Sequence, residues 1–250
     1  MSRSYFPLVD REDGVSETWL HSWTDFDKVV ARLLRHPAFV FRGQRDASWL
    51  VESSLTRLVR SRRRWRQHES VYMRRFRLAL RGRLDDHLLS SLSDDEVLAI
   101  GQHFGLATPL LDWSTSPYVA LFFAFESAQE PQNKHRAVFA LDEGFVRGAA
   151  TEAGPNAIEF LRPTSGFNKR LVHQAGLFTK GPVFADLHSW VADHFENVEE
   201  AILLKISLPS RGRHDCLRRL NRMNINHATL FPDIDGTARF CNLQMEIPDY

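Results

Sequence analysis

Cysteine is nearly absent. Cys216 and Cys241 are the only two in 250 residues, too few for a disulfide framework or a cysteine-rich zinc centre, and they read as reduced thiols. Long apolar runs are missing too: none approaches the roughly 20 residues that a membrane helix requires. The opening MSRSYFPLVDRED is charged and has no apolar stretch of the secretory kind, so a cytoplasmic chain without membrane contact is expected. No glycine-rich loop leads into Lys-Ser or Lys-Thr, and no three-glycine dinucleotide fingerprint follows a strand-like run. The eleven histidines contain no HExxH pair, and His103, His173 and His227 lie far apart, so no metal is expected. No serine sits in a GxSxG elbow. P-loop, dinucleotide-fold dehydrogenase, zincin and serine-hydrolase chemistry are set aside on these grounds.

Lysine is also scarce, at five of the 32 basic residues, and this absence points to something present. The net charge of +1 is a cancellation. Residues 57–83 hold eleven arginines and one acid, Glu69, so this stretch carries +10 and the remainder −9. The planar guanidinium fork suits phosphates and base edges better than a lysine point charge does. Arg62, Arg63, Arg64 and Arg66 are the candidate nucleic-acid contacts, with RNA favoured; an arginine-rich solvated helix face is the alternative.

Hydrophobic spacing predicts a helix over 17–36, a strand at Phe39-Val40-Phe41, a second short strand over 49–55, and helices over 57–90 and 94–104. Ser93 and Glu96 form a capping-box signature for the last of these, and Gly105 marks its end. Pro117–Glu126 reads as an apolar helix, 144–154 as a loop, Val138–Leu141, Leu177–Thr179 and Ala201–Leu208 as strands, and His214–Met223 as a charged helix. Strands interleaved with helices and no βαβ repeat give an α+β fold, with 57–104 as a helical, arginine-rich insertion in a single domain spanning 1–250.

Two stretches place polar groups where apolar ones belong. Arg42 follows the apolar Phe39–Phe41 run, with Gly43 permitting close backbone approach and Gln44 beyond it. Farther on, Gln102-His103-Phe104-Gly105 precedes Leu110-Leu111-Asp112-Trp113 and the three hydroxyls Ser114, Thr115 and Ser116, just ahead of Pro117. Ser116 also reads as a simple helix cap, and Arg42 as an ion-pair partner of Asp112.

In this order FRGQ, WLVESSLxR, QHFGxxTPLLDWSTSPxxALFFA, RxxxQAGLF and TLFPDIDG resemble the bacterial FRG-domain family across roughly residues 39–240. More distantly, Arg42-Gly43 and Ser114-Thr115-Ser116 with Ala120, Phe123 and Ala124 resemble the first two motifs of Arg-Ser-Glu class ADP-ribosyltransferases. The resemblance implies an ADP-ribosyltransferase-like mixed sheet core and NAD as substrate. Arg42 would clamp the phosphates, the Gly43 backbone would hold the nicotinamide amide, and Ser114, Thr115 and Ser116 would hold the ribose, with Gln44 and His103 beside them. It further implies a toxin or antiviral effector, restrained by an antitoxin or chaperone, that modifies RNA or another acceptor.

The class needs a carboxylate as well. Gln174 stands where the glutamate is expected, and Glu246, in Gln244-Met245-Glu246, offers the Gln-x-Glu form; Glu159 and Asp112 are further carboxylates. Two alternatives stay open: a nucleic-acid-binding module without catalysis, and an NAD glycohydrolase or nucleotide hydrolase using His103 and Asp112 as acid–base partners.

Overall fold

The computed structural model describes residues 9–10, 13–35, 38–59, 62–163 and 169–250. Its centre is one mixed, mostly antiparallel eight-stranded sheet in the order β1-β2-β8-β5-β3-β4-β7-β6. The middle of that sheet is β8 (Val198–Pro209), β5 (His135–Asp142) and β3 (Phe39–Gln44). On one side β2 (Asp13–Trp19) runs parallel to β8 and carries the two-residue β1 (Val9–Asp10). On the other lie β4 (Leu110–Ser114), β7 (Gly176–Lys180) and β6 (Glu159–Leu161).

Successive strand residues face opposite sides of a sheet, and β3 to β5 obey that rule with an apolar set on each face. Phe41, Val138, Ala140 and Leu204 join a core roofed by α1 (Phe26–Leu33), α6 (Pro117–Phe125) and α10 (Arg213–Arg222). Val40, Ala137, Phe139 and Leu141 join a second core under α7 (Glu143–Ala153) and α9 (Leu187–His194). Strands buried on both faces read as continuous apolar runs, which is why Val138–Leu141 and Ala201–Leu208 stood out in the sequence.

Four helices occupy the chain between β3 and β4: α2 (Ser54–Leu58), α3 (Arg62–Leu80), α4 (Asp86–Ser91) and α5 (Asp94–His103). The last three enclose a small core of Leu89, Leu92, Val97 and Ile100 with Phe76, Leu80, Leu84 and Leu88, and Met73 reaches on to Leu110 and Phe178 of the sheet. The Ser93–Glu96 capping box forms with both of its hydrogen bonds, and Gly105 ends α5 at φ +88°.

Four expectations are corrected. The helix over 17–36 is reduced to a 3-10 turn (Trp23–Asp25) and α1; its first part is β2, because Asp13–Trp19 gains hydrogen-bonded pairing along β8, which outweighs a loose apolar periodicity. The strand over 49–55 is a loop leading into α2, whose first turn Ser53 caps by accepting from Thr56 N. The helix over 57–90 is broken twice: at Val59, which is extended and ends α2, and at Gly82, which sits at φ +71°, a left-handed conformation open to glycine. The loop over 144–154 is the helix α7: the Asp142 carboxylate accepts from Gly144 N and Phe145 N and nucleates it despite two glycines. The remaining helices are α8 (Lys169–His173), α11 (His227–Leu230) and α12 (Ile234–Glu246).

Candidate functional site

The sheet splits between β3 and β4. Each is well paired on its outer side, β3 with β5 from Phe39 to Gln44 and β4 with β7 from Leu110 to Ser114. Across the seam they meet only at Phe41 and Ser114. A cavity of about 950 Å³ opens at that seam, at the upper end of the size range of small-molecule sites.

All five sequence motifs deliver side chains to it. Arg42, Gly43 and Gln44 line it from β3, Trp49, Glu52 and Arg57 from the following loop and α2, and Gln102, His103, Asp112 and Ser114 from α5 and β4. Ala120, Phe123 and Glu126 come from α6 and its end, Arg170 and Gln174 from α8 and the turn after it, and Phe231 from beyond α11.

Arg42 is the centre of the electrostatics. Its Nη1 donates to the Asp112 carbonyl at 2.8 Å and lies 3.8 Å from the Asp112 carboxylate, while its Nε is enclosed and has no partner. Burial pushes the Arg42 guanidinium below its ordinary range; Asp112 pulls it back up, and the neighbouring Arg57 pushes it down. Two guanidiniums facing one cavity, one with an orphaned N–H, form a natural seat for an anion. The second orphan is Gln44 Oε1, buried and unpartnered, while Gln44 Nε2 donates to the Leu50 carbonyl. A buried polar atom without a partner costs about 1–3 kcal/mol unless something fills the space beside it. Aromatic faces complete the lining: Arg45 stacks on Trp49 at 4.6 Å, and Arg170 on Phe231 at 5.1 Å.

His103 sits on the same wall. Burial, and then the Arg170 cation, depress its imidazolium, with Asp233 opposing. Arg170 is itself held by Asp233 at 2.5 Å and 2.8 Å. Asp112 is engaged elsewhere, accepting from Gln102 Nε2 at 2.8 Å, and His103 and Asp112 do not form a hydrogen-bonded acid–base pair.

The three hydroxyls do not converge on the cavity. Ser114 lines it, but its Oγ donates to the Gln174 carbonyl at 2.7 Å and accepts from Ser116 N at 3.0 Å, tying the end of β4 to the turn before β7. Thr115 is exposed and bonds the Ala175 carbonyl through its backbone N–H, with its hydroxyl at 3.4 Å. Ser116 caps α6 by accepting from Val119 N. Neither Thr115 nor Ser116 lines the cavity.

Gly43 has a packing reason of its own. A Cβ there would fall 2.0 Å from the Ala120 carbonyl oxygen and 2.6 Å from Ala124 N, so only glycine lets α6 lie against β3. Gln174 reaches the cavity, yet its Nε2 donates to the Leu230 carbonyl at 3.1 Å. Glu246 does not reach the cavity. It lies at the end of α12, which packs on α11 rather than returning to the sheet beside β4, and it is ion-paired with the buried Arg213. Glu159 is exposed on the edge strand β6.

Of the arginine-rich segment, Arg63 is exposed on α3; the side chains of Arg62, Arg64 and Arg66 lie outside the described residues. Sequence reasoning passed over Trp49, Glu52, Arg57, Arg170 and Phe231, although each lies inside one of the five motifs. It passed over Glu126 as well, one residue beyond the helix that contains ALFFA.

Among the described residues no group of three or more His, Cys, Asp or Glu is placed to hold a metal ion, and no helix is long and apolar enough to cross a membrane. Residues 37–133 match the family model of the FRG domain. No curated protein and no solved structure matches the chain.

Proposed function

We propose, on the premise that this chain carries an FRG domain over residues 37–133, that it is an NAD-dependent mono-ADP-ribosyltransferase acting as a toxin or antiviral effector. One observation carries the reading. At the seam between β3 and β4, two neighbouring guanidiniums, Arg42 and Arg57, share a cavity with the orphaned Arg42 Nε and Gln44 Oε1. A pyrophosphate supplies the charge that the arginines lack, and an amide or ribose hydroxyl supplies a donor for Gln44. Trp49 and Phe231 supply flat apolar surface for rings. An open seam in an otherwise paired sheet is also compatible with the mixed ADP-ribosyltransferase-like core that the motifs imply.

In this reading Arg42 holds substrate phosphate, and Ser114 acts through Gln174, whose backbone it fixes. The arginine-rich stretch that includes α3, between β3 and β4, presents an RNA acceptor. The test is incubation with NAD labelled on its adenylate, with RNA and with protein acceptors. Label transfer with nicotinamide release is expected, and Arg42→Ala should reduce it at least about 100-fold by removing a charge-assisted hydrogen bond to substrate. Absence of both NAD binding and nicotinamide release would end this reading. Replacing Arg62, Arg63 and Arg64 with alanine should lower the salt slope of RNA affinity by about 0.7 for each phosphate that is no longer neutralised.

A second reading, ligand binding without chemistry, draws on Gln174: it occupies the glutamate's place, its amide is committed to Leu230, and Glu246 lies elsewhere. Saturable NAD or RNA binding with no bond cleavage selects it.

A further inference from the structure

The cavity contains a carboxylate held from both its backbone and its side chain. Glu126 follows the last residue of α6. A helix leaves its final carbonyls unpaired, and here two buried arginines take them. Arg136 Nη1 donates to the Ala124 carbonyl at 2.8 Å. Arg213 donates from Nε to the Phe125 carbonyl at 2.9 Å and from Nη2 to the Glu126 carbonyl at 2.7 Å. Glu246 in turn pairs with Arg213, which gives that glutamate its role. Gly43 meanwhile seats the middle of α6 against the strand that bears Arg42. The backbone of Glu126 is therefore placed relative to Arg42 through contacts along one short helix.

The side chain is held as well. Glu126 Oε2 accepts from His227 Nε2 at 3.1 Å. His227 is buried, with its ring against Phe122 at 4.9 Å and Phe231 at 5.7 Å, and its Nδ1 has no partner. With the proton on Nε2, Nδ1 is a bare lone pair. Any form carrying a proton on Nδ1 would bury an unpaired donor, the costlier arrangement. The imidazole thus donates toward Glu126 and leaves the second carboxylate oxygen for the cavity. Of the other lining carboxylates, Asp112 is already engaged by Gln102 and Arg42.

We propose that Glu126 is the catalytic carboxylate of this site, with His227 as its positioning residue; the inference rests on the transferase reading above. In the step assigned to it, the bond between ribose C1′ and the nicotinamide nitrogen breaks, and its electron pair leaves with nicotinamide. The carboxylate stabilises the resulting ribosyl cation. A hydroxyl or amine of the acceptor then forms the new bond to C1′ and gives its proton to Glu126, which releases it to water. NAD and the acceptor become ADP-ribosylated acceptor, nicotinamide and one proton.

The experiment measures nicotinamide release, adenylate-label transfer, NAD affinity by calorimetry and melting temperature in the full chain. Glu126→Gln should melt within about 3 °C of the unmodified protein and bind NAD within about threefold, yet transfer label at least about 100-fold more slowly. Glu52→Gln should fall by less than about tenfold. His227→Gln, which keeps a donor toward Glu126, should retain more transfer than His227→Phe, which removes it. If the unmodified protein turns over NAD and Glu126→Gln keeps a third or more of that rate, this assignment fails while the transferase reading stands. The assignment also fails if Glu126→Gln folds but no longer binds NAD. If the unmodified protein binds NAD without releasing nicotinamide, both readings fall. Should Glu126→Gln not fold, Glu126→Asp decides on the same criteria.

Discussion

Replacing Gly43 by alanine separates the two reasons a glycine could stand beside the cavity. If its absence of side chain served only a ligand, Gly43→Ala would weaken binding and leave the fold untouched. The geometry says otherwise. The added Cβ would lie 2.0 Å from the Ala120 carbonyl oxygen, where ordinary contact begins near 3.4 Å, so α6 must retreat by about 1.4 Å. That helix has little room to retreat: Val119, Ala120, Leu121, Phe122, Ala124 and Phe125 are all buried. Overpacking of a close-fitted core costs about 1–3 kcal/mol, and a backbone clash at both Ala120 and Ala124 belongs at the upper end, about 3 kcal/mol. For a chain of this size that is about 6–12 °C of melting temperature. Gly148 is the matched control. It lies on the exposed side of α7, and a Cβ there would meet nothing within 4 Å, so Gly148→Ala should stabilise by about 0.5–1 kcal/mol. Thermal unfolding by circular dichroism on the pair is sufficient. A Gly43→Ala protein that melts within about 2 °C of the unmodified chain would refute the packing argument.

The other predictions concern charge. Burial alone would raise the Asp46 carboxyl, but the Ser48 hydroxyl and the Ser48 and Gln132 N–H groups hold it below its ordinary range. The Arg162 guanidinium does the same for Glu143, and for Asp233 the Gly236 N–H and then Arg170 do. A carboxyl depressed in the folded state adds stability that is complete above its unfolded value, 3.8 for Asp and 4.5 for Glu, and is lost as pH falls through the depressed value. The stability these three carboxyls add should thus be complete down to about pH 5 and lost below about 4, the depressed His103 adding a separate decline as pH falls below its ordinary 6.5, and the acid slope should be less steep in Asp46→Asn; an unchanged acid slope in that variant would count against it. Glu246→Ala should cost about 1–3 kcal/mol by leaving the buried Arg213 without its carboxylate, while NAD affinity stays within about twofold. A loss of affinity without a loss of stability would return Glu246 to the site.

Where a single physical signal governed an element, the fold was legible in the sequence. The capping box at Ser93, the proline opening α6 and the doubly apolar runs of β5 and β8 each appear where their chemistry predicts. Errors fell where a distant partner decided. Asp13–Trp19 is a strand only because β8, nearly 190 residues later, pairs with it. Residues 143–153 hold two glycines and look like a loop, yet the Asp142 cap and the packing of Val146 into the second core make them helical. α12 has no single apolar stripe: of its residues only Gly236 and Leu243 are buried.

The site was legible in its parts and not in its geometry. Motif order leads to Arg42 and Ser114, and the structure places Ser114 opposite Phe41 at the one point where β3 and β4 pair, with Arg42 next along β3 and both lining the cavity. Motif order also suggested that three adjacent hydroxyls act together, but a strand that ends at Ser114 and a helix that begins at Pro117 leave Thr115 and Ser116 to the turn between them. Motif order offers Gln174 at the glutamate's place and Glu246, Glu159 and Asp112 as carboxylates. The cavity is assembled by contacts that such an order does not contain: a glycine seating a helix, two arginines closing its C-terminus, and a histidine about a hundred residues onward donating to its last carboxylate. Glu126 is invisible to motif reading because nothing in its neighbourhood of sequence marks it. Its position is set by Arg136, Arg213 and His227, each satisfying an atom that the end of α6 would otherwise leave bare.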